Sequence, residues 1–583
     1  MGWEAWFTLA VVLAVVGLLA SERVSGPFVL LGAVTVLLVT GVITPESAFA
    51  GFSNPAPITV AALYVLARAA EVSGLLEPVT GAMLGNGSTR GRLLRVVGPT
   101  AAASGFLNNT PIVALLARQV TSWAARVGRS PAPYLMPISF AAIAGGLITV
   151  IGTSTNVVVA GLMGEAGVAP LRFFEIGWVG LPITLATVAF LALFSHALLP
   201  DRRAPTDRMD GAREFAVEME VTAALDGRTV ADVGLRNLEG VYLVEIERSG
   251  HVIAPVAPDE VLAASDRLTF VGNVDRVLDL QRIPGLVSAS ERHFEVGGSR
   301  FFEAVVAPGS TLVGSTLKDV GFRGRYGGAV VAIHRSGGRV PGKLGEVALR
   351  GGDVLVVLAG TDFAGRWRDR GDFLVVSSLG AEVPPRRGKR TVVGLVAVAL
   401  VGLVAVGVVG ILEASLVAAG LLVVTGALTA TEARESVDLN VVVVIAASFG
   451  VGAAVEGSGL AGSVASGLVG AFGTFGDVGV LAGVLVATTL LTELITNNAA
   501  AVLMFPIAMA VSTQAGLNPR AFAVAVAVGA SASFLTPVGY QTNTMVYGMG
   551  GYRFGDFARL GGPLTLVMLA VTLAVVPAVW PLR

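Results

Sequence analysis

The feature that most limits how this chain can fold is a succession of apolar stretches that run for about 20 residues without a charge, the length needed to cross a bilayer. Apolar residues make up 54% of the 583 residues and charged residues only 14%. This composition predicts a polytopic α-helical membrane protein with the lipid bilayer as a partner. A net charge of −1 gives no reason to expect nucleic acid, and the lack of cysteine excludes disulfides and thiol chemistry.

The chain divides into three blocks. Residues 1–200 and 389–583 are mostly apolar, whereas 201–388 alternates polar and β-branched residues as water-exposed strands do. Basic clusters that include Arg202 and Arg386 flank the middle block, so the positive-inside rule places this block in the cytoplasm. The sequence therefore predicts a first membrane repeat, an inserted cytoplasmic α/β domain and a second membrane repeat, in the cell (inner) membrane.

The middle block repeats itself. Arg248 and Arg335 lie 87 positions apart, as do Asp266 and Asp353, and the intervening residues align without a gap. A repeat this regular predicts two copies of one structural unit.

Each copy, about 212–285 and 300–376, resembles the regulatory lobe known as the TrkA-C or RCK-C domain. The resemblance implies a small α/β module that regulates the membrane part. Two interpretations remain open for it: a ligand sensor, with a nucleotide as the ligand, or a packing or dimerisation module that binds nothing.

In the first block we expect membrane spans near 5–20, 27–43, 57–78, 134–162 and 176–199. A further apolar segment at 96–117 has arginines on both sides, among them Arg95 and Arg118, which a single crossing cannot satisfy. It also contains LNNTP, and non-helical backbone at membrane depth is tolerated only inside protein or beside a wet cavity. We therefore predict a re-entrant hairpin with a polar tip, entering from the cytoplasm.

In the last block we expect spans near 391–411, 415–430, 437–456, 520–547 and 560–580. A second hairpin is predicted at about 480–510, where the tip reads ITNNA. No lysine or arginine lies between Gly457 and Pro519, so both ends of this hairpin are predicted to lie outside.

The two membrane blocks thus share one order, three spans, a hairpin and two spans, in opposite orientations. Asn109 aligns with Asn497, and the later stretches VIGTSTN and PVGYQTN end 47 and 46 residues further on, at Asn156 and Asn543. Inverted repeats with broken helices that meet at the midplane are the architecture of secondary transporters.

A potassium channel is the alternative that one stretch raises, because TPVGYQTN contains the VGY of a channel filter. Pro537 separates the threonine from the valine, however, and Gln541 stands where the filter has its last glycine. The internal repeat explains this stretch better than a filter does, and a ligand-gated channel remains the alternative from another class.

With these motifs in hand, the membrane blocks resemble the divalent-anion/sodium symporter superfamily, which carries a Ser-Asn-Thr motif at each hairpin tip. The two inserted lobes, with GTSTN in one half and GYQTN in the other, resemble its sulfate-transporter and sulfur-deprivation-response branch. The chain departs from the pattern where Asn108 replaces serine and Asn498 replaces threonine. A dicarboxylate geometry therefore cannot simply be carried over.

The resemblance implies roles for particular residues. The anion would be bound by Asn109, Thr110, Thr153, Asn497, Asn498 and Tyr540. The first sodium site would use Ser104, Asn108, Asn109, Gly152 and Asn156. The second sodium site would use Thr492, Thr496, Asn497, Gly539 and Asn543. Glu493, beside the second tip, is either a coupling group or a structural hydrogen-bond acceptor.

We therefore expect a homodimeric, sodium-coupled symporter of a small divalent anion, with sulfate as the expected substrate. A dicarboxylate/sodium symporter is the alternative within the family, and a sensor that no longer transports is a third hypothesis. Sodium and proton coupling are not distinguished by sequence. No P-loop or metal-binding motif is present, so we do not expect an enzyme.

Overall fold

The fold, taken from a computed structural model, has helices in the first and last blocks and strands between them. The structure describes residues 2–21, 24–75, 89–126, 129–199, 216–235, 241–248, 251–253, 256–272, 283, 285–288, 299–307, 309–335, 338–340, 344–360, 363–367, 371–378 and 386–583.

The first block forms nine helices within the described residues. These are α1 (Trp3–Ser21), α2 (Gly26–Val39), α3 (Pro45–Ser53), α4 (Pro55–Val72), α5 (Thr89–Ser104), α6 (Asn109–Arg126), α7 (Ala132–Gly145), α8 (Ser154–Glu165) and α9 (Gly177–Leu198). The short loop 105–108 joins α5 to α6 at the polar tip that the sequence indicates, because asparagine, threonine and proline favour helix ends over helix interiors.

Within its described residues, the middle block forms two five-stranded antiparallel sheets. The first contains β1 (Ala216–Val221), β2 (Val241–Arg248), β3 (His251–Ile253), β4 (Arg267–Gly272) and β5 (Leu286–Ser288). The second contains β6 (Ser299–Val306), β7 (Gly328–Arg335), β8 (Gly338–Arg339), β9 (Val354–Gly360) and β10 (Phe373–Ser378), with the short helices α10 (Phe322–Tyr326) and α11 (Phe363–Trp367). The strand order is β3-β2-β4-β1-β5 in one sheet and, counted from the matching edge, β8-β7-β9-β6-β10 in the other. We call the two units lobe 1 and lobe 2.

The same ion pair stabilises both lobes. Arg248 donates to Asp266 through Nε at 2.9 Å and through Nη2 at 2.8 Å. Arg335 donates to Asp353 in the same way, at 2.7 Å for both bonds. Both aspartates are buried, so their charges are matched by the planar arginine fork that suits a carboxylate. The 87-residue spacing found in the sequence therefore also relates two matching ion pairs in the structure.

The last block forms ten helices. These are α12 (Arg390–Ala405), α13 (Ile411–Val424), α14 (Ala430–Ser436), α15 (Leu439–Gly457), α16 (Leu460–Phe472), α17 (Gly476–Thr492), α18 (Asn497–Ala515), α19 (Pro519–Ser531), α20 (Gln541–Met549) and α21 (Phe554–Val579). Apart from α16, their succession matches α1 to α9, with the short helices α3 and α14 in corresponding places. Among the described residues, seven helical segments are long and apolar enough to cross a membrane.

Two of the predicted spans are each interrupted by a turn, as expected for inverted repeats with broken helices. The segment 134–162 contains α7, an irregular turn at 146–153 and then α8; the segment 520–547 contains α19, a turn at 532–540 and then α20. A Cβ on Gly152 would lie 2.5 Å from the Gly146 carbonyl oxygen and 2.9 Å from that of Ser104. The turn therefore brings backbones closer than any other residue would allow, and tertiary packing overrides the apolar sequence.

Helix α16 was not expected. Its sequence, LAGSVASGLVGAF, is rich in glycine and serine, which lowers helix propensity, although the segment is apolar enough to form part of a candidate span. Glycine also permits close packing, and α16 lies against α18. The short helices α3 and α14 were also missed, although Thr44 and Thr429 cap them as polar N-terminal residues usually do.

The two helical blocks interlock in one apolar core. Helix α8 packs on α18, and α20 packs on both α6 and α7. Each broken helix therefore lies against the helix that follows the polar tip of the other block, which brings four polar turns into one region.

Candidate functional site

Oxygen atoms converge at the first tip. Ser104 Oγ lies within hydrogen-bonding distance of both the Ala142 carbonyl oxygen, at 2.8 Å, and Asn109 Oδ1. In this amide orientation Asn109 Oδ1 is also 3.1 Å from the Ala142 oxygen and 3.3 Å from the Gly152 oxygen. One hydroxyl proton cannot satisfy four oxygens that face each other. A cation would satisfy them, so the donor set fits sodium.

The Asn109 amide has a second orientation in which no ion is required. With its oxygen and nitrogen exchanged, Nδ2 donates to the Ala142 and Gly152 oxygens and Oδ1 accepts from the Tyr540 hydroxyl at 2.8 Å. In the first orientation Nδ2 instead donates to the Tyr540 oxygen, also at 2.8 Å. The first orientation therefore needs a cation among the oxygens, whereas the second satisfies every group without one.

The second tip repeats this arrangement. Thr492 Oγ1 lies 2.7 Å from the Ala530 carbonyl oxygen and 3.0 Å from Asn497 Oδ1. Asn497 Nδ2 is buried and has no hydrogen-bond partner among the described residues. An unpaired buried N–H is costly, and this one belongs to a residue that lines the cavity described below. It is a donor that an anion could use.

Two further asparagines hold the broken helices open. Asn156 Nδ2 donates to the carbonyl oxygens of Gly146 and Thr149, at 3.1 and 2.9 Å. Asn543 Nδ2 donates in the same way to the oxygens of Ser533 and Thr536, at 2.8 and 3.2 Å.

These bonds satisfy carbonyls that lost their helical partners, so both asparagines act first on the backbone. The Asn156 Oδ1 atom stays buried without a partner among the described residues, which leaves it free to face an ion.

The two blocks are also joined across the site. Thr110 Oγ1 donates to Gln541 Oε1 at 3.4 Å, and Ser154 Oγ donates to Asn498 Oδ1 at 3.1 Å. With the contact between Asn109 and Tyr540, these bonds connect the first tip to the second broken helix and the first broken helix to the second tip. The predicted anion-binding residues therefore come together from both blocks.

The remaining predicted residues lie nearby. Asn108 and Thr496 line the cavity, and Thr496 caps α18 by accepting from the Ala499 N–H at 3.4 Å. Thr153 is buried at the start of α8. Gly539 lies so close to Ser533 that a Cβ would be 2.1 Å from its Oγ, which explains the glycine.

Glu493 accepts four hydrogen bonds from the second broken helix. Oε1 accepts from the N–H groups of Phe534 and Leu535, both at 2.8 Å. Oε2 accepts from the Thr536 N–H at 3.0 Å and from the Thr536 hydroxyl at 2.9 Å. The matching position in the first tip is Gly105, whose carbonyl oxygen accepts from the Thr149 hydroxyl. Of the two roles left open by the sequence, these contacts supply the structural one.

A cavity of about 660 Å³ adjoins these groups. Its wall includes residues of both tips and of the second broken helix, namely Asn108, Thr110, Thr496, Asn497, Asn498, Gly539, Tyr540 and Gln541. Residues of lobe 2 also line it, namely Ala307, Gly309, Gly371, Phe373 and Leu374. The cavity therefore extends from the tips to lobe 2.

Several residues of this region were missed by sequence reasoning. Thr149 and Thr536 could have been found, because they lie 387 positions apart, as Gly152 and Gly539 do. Arg118 was used only to orient the first hairpin, yet it lines the cavity. No motif signals that placement, because it depends on how α6 faces α4.

Comparisons with known proteins identify the family of this chain. The family model described as CitMHS, citrate transporter, matches residues 16–529 and 480–581. The putative sulfur deprivation response regulator of Chlamydomonas reinhardtii is 35% identical over 570 residues, which cover 94% of this chain and 97% of that protein. The probable sodium/sulfate cotransporter 3 of the same alga is 27% identical over 744 residues, with 91% and 83% coverage.

A crystal structure of the YdaH transporter of Alcanivorax borkumensis covers 95% of this chain and 96% of its own, with a TM-score of 0.42 and 13% identity. A likeness this distant carries no argument. The sequence relatives, in contrast, confirm the resemblance expected from the tip motifs. Because the family model spans nearly the whole chain and the first relative matches it end to end, the chain belongs to the CitMHS citrate-transporter family and is a multi-pass membrane transporter rather than an enzyme.

Proposed function

We propose that this chain is a sodium-coupled symporter of a small divalent anion, with sulfate as the substrate. The observation that carries the proposal is the pair of matched oxygen clusters, at Ser104 with Asn109 and at Thr492 with Asn497, beside one cavity. Two relatives whose names include sodium/sulfate cotransport support the choice of both solutes.

Anion binding in this proposal relies on neutral donors. Asn497 Nδ2, Asn498, Thr110, Thr153 and Tyr540 would surround the anion with amide and hydroxyl groups, and the N-termini of α6 and α18 would add their partial positive charge. Two sodium ions nearby would offset the charge of a divalent anion. Each solute therefore makes the binding of the other more favourable.

The Asn109 amide offers a direct means of coupling. When sodium binds among the oxygens at the first tip, Oδ1 faces the ion and Nδ2 faces the anion side, where it donates to Tyr540 or to substrate. Without sodium, the reversed amide presents Oδ1 to the anion side, and an oxygen there repels an anion. Sodium would thus have to bind before the anion.

The two helical blocks are proposed to be inverted repeats, with the first tip entering from the cytoplasm and the second from outside. The chain would lie in the inner membrane as a homodimer, with both lobes in the cytoplasm as tandem TrkA-C domains. A nucleotide ligand for the lobes remains a prediction based on resemblance. Alternating access would then consist of movements of the tips and broken helices relative to the rest.

Lobe 2 is proposed to regulate transport by direct contact with α20. Val305 and Val354 are buried, but they point away from the lobe's own core and join the core of the helical blocks. A Cβ on Gly548 of α20 would lie 2.6 Å from Val354 Cγ2 and 2.7 Å from the Gly352 oxygen. Because α20 begins at Gln541 beside the anion site, a shift of lobe 2 would be transmitted to that site.

The test is uptake of labelled sulfate and of labelled succinate into sealed proteoliposomes, with and without an inward sodium gradient. Sulfate should accumulate above its outside concentration only with the gradient, and succinate should not. Accumulation of succinate instead would favour the dicarboxylate alternative. Proton-driven uptake that ignores sodium would refute the assigned sodium sites, and passive equilibration would favour a channel.

A further inference from the structure

Two arginines lie on the cavity wall between the tips and lobe 2. Arg68 on α4 and Arg118 on α6 both line the cavity, and both contact one carboxylate, that of Glu71. Arg68 Nη1 is 2.9 Å from Glu71 Oε2, and Arg118 Nη2 is 3.0 Å from Glu71 Oε1. These three groups alone sum to one positive charge, and their side chains are only 15% to 22% exposed.

This cluster is connected to the first tip by two helix faces. Tyr64, Arg68 and Glu71 are spaced by four and three residues, so they share one face of α4. Tyr64 lies at the level of the tip, where it contacts Asn108. On α6, Arg118 follows Thr110 by eight residues, a rise of roughly 12 Å along the helix. Arg68 is thus about one helical turn and Arg118 about two helical turns from the level of the tip, along the same cavity.

The other charged residues on the described wall of the cavity are all acidic. They are Glu435, Asp438 and Glu493. N–H groups of the second broken helix bind Glu493, and the Asn440 N–H binds Asp438 at 3.0 Å, but these neutral donors do not cancel the negative charges. Among the described residues of the wall, Arg68 and Arg118 are therefore the two cations.

Arg118 also has capacity for a further acceptor. Its bonds to described residues are the one to Glu71 and one from Nε to the Ala114 carbonyl oxygen at 3.1 Å, which together engage two of five guanidinium N–H groups. A planar guanidinium fork is well matched to sulfate and carboxylate oxygens.

We propose that Arg68, Arg118 and Glu71 form a second anion site, a staging site where the transported divalent oxyanion or dicarboxylate rests between the tips and the lobe side of the membrane. The inference rests on the proposed function, because it takes the transported solute to be an anion. Glu71 tunes the site: it reduces two positive charges to one, so the anion is held there weakly enough to move on.

The alternative is that the cluster only links α4 to α6. Three variants separate these roles. Arg118→Gln removes the charge and one ion pair, Arg118→Lys keeps the charge, and Glu71→Gln weakens both ion pairs while raising the local charge from one to two. A link between helices is weakened by Glu71→Gln as much as by Arg118→Gln, whereas an anion site is strengthened by it.

The experiment measures the half-saturating concentration of labelled sulfate in sealed membrane vesicles of both orientations, for entry from the lobe side and from the opposite side. For entry from the lobe side, Arg118→Gln should raise this concentration on the order of tenfold, since a bond to a charged group is lost. Arg118→Lys should change it less, and Glu71→Gln should lower it or leave it unchanged. Entry from the opposite side should be unaffected.

Ionic strength supplies a second measurement. A salt of ions that are not transported should raise the half-saturating concentration of the wild type more than that of Arg118→Gln, because screening acts on the charge that the variant lacks. Equal changes on both sides, equal salt dependence, or Glu71→Gln matching the loss in Arg118→Gln would overturn the staging site. Wild-type vesicles without sodium-dependent sulfate uptake would instead refute the proposed function.

Discussion

The Glu493 carboxylate holds the backbone of the second broken helix through three N–H groups and one hydroxyl. At the matching position of the first block is Gly105, whose backbone carbonyl oxygen accepts a hydrogen bond from the Thr149 hydroxyl. The two proposed sodium sites would therefore not be equivalent, because a carboxylate lies beside the second tip and a glycine at the matching position of the first. The sequence shows this difference, Gly105 opposite Glu493, but not which groups each of them contacts.

Replacing Glu493 by glutamine should abolish most sulfate uptake. The glutamine amide would place N–H donors against the Thr536 N–H and hydroxyl, and losing bonds to a charged group costs about 1.5–3 kcal/mol each. We expect the sodium concentration for half-maximal uptake to rise on the order of tenfold. The matched control is Glu413→Gln on α13, where the side chain is exposed. Normal sodium dependence in Glu493→Gln would contradict this role.

Glu303 on β6 gives lobe 2 a pH dependence. Burial raises the pKa of this carboxyl from its ordinary 4.5 to about 7. Between these values the unfolded chain releases its proton while the folded lobe keeps it, so stability is full below about pH 4.5 and decreases as the pH rises towards 7. The loss amounts to about 3 kcal/mol.

Thermal unfolding of the full chain at pH 5 and pH 8 tests this dependence. The transition of lobe 2 should move to lower temperature at pH 8, and Glu303→Gln should remove the shift because glutamine does not titrate. Glu346→Gln, an exposed change in the same lobe, should leave it in place. An unchanged shift in Glu303→Gln would assign the pH dependence to another group.

At the scale of the elements, local chemistry predicts the polar tips, whereas the helix breaks were expected only from the transporter architecture that the internal repeat implies. Asparagine, threonine and proline interrupt helices by local chemistry, so LNNTP and ITNNA indicate the tips directly. The break at 146–153 lies among apolar residues such as Leu147 and Ile148, and it depends on the close approach of Gly152 to Ser104. A contact between distant segments has no local signal.

The contact between α20 and lobe 2 yields a test of regulation. Gly548→Ala adds a methyl group where Val354 and the Gly352 oxygen leave no space, so lobe 2 must move away from α20. Because lobe 2 also lines the cavity, we expect faster sulfate uptake and faster proteolysis within lobe 2. Gly555→Ala on α21, where the added methyl group meets open space, is the control. Slower or unchanged uptake with lobe 2 still protected would contradict regulation by this contact.

At the scale of the whole molecule, the order of the three blocks and the 87-residue repeat could be inferred from sequence alone. The position of lobe 2 against the cavity could not, since Val305 and Val354 look like ordinary strand residues until a second packing surface is known. The shared contact of Arg68 and Arg118 with Glu71 could not be inferred from sequence either, because the two arginines lie 50 positions apart.

The proposed function holds one anion between the two tips together with sodium, and the absence of cysteine from the sequence makes this proposal directly measurable. Val538 is 47% exposed and lines the cavity next to Gly539, so a cysteine there should react with a water-soluble thiol reagent while the anion-binding residues stay intact. The measurement is the labelling rate of Val538→Cys with sulfate, in sodium and in potassium. We expect sulfate to slow labelling several-fold in sodium and to have no effect in potassium. Labelling that sulfate leaves unchanged in sodium, or slows equally in potassium, would contradict a shared site for sodium and anion between the tips.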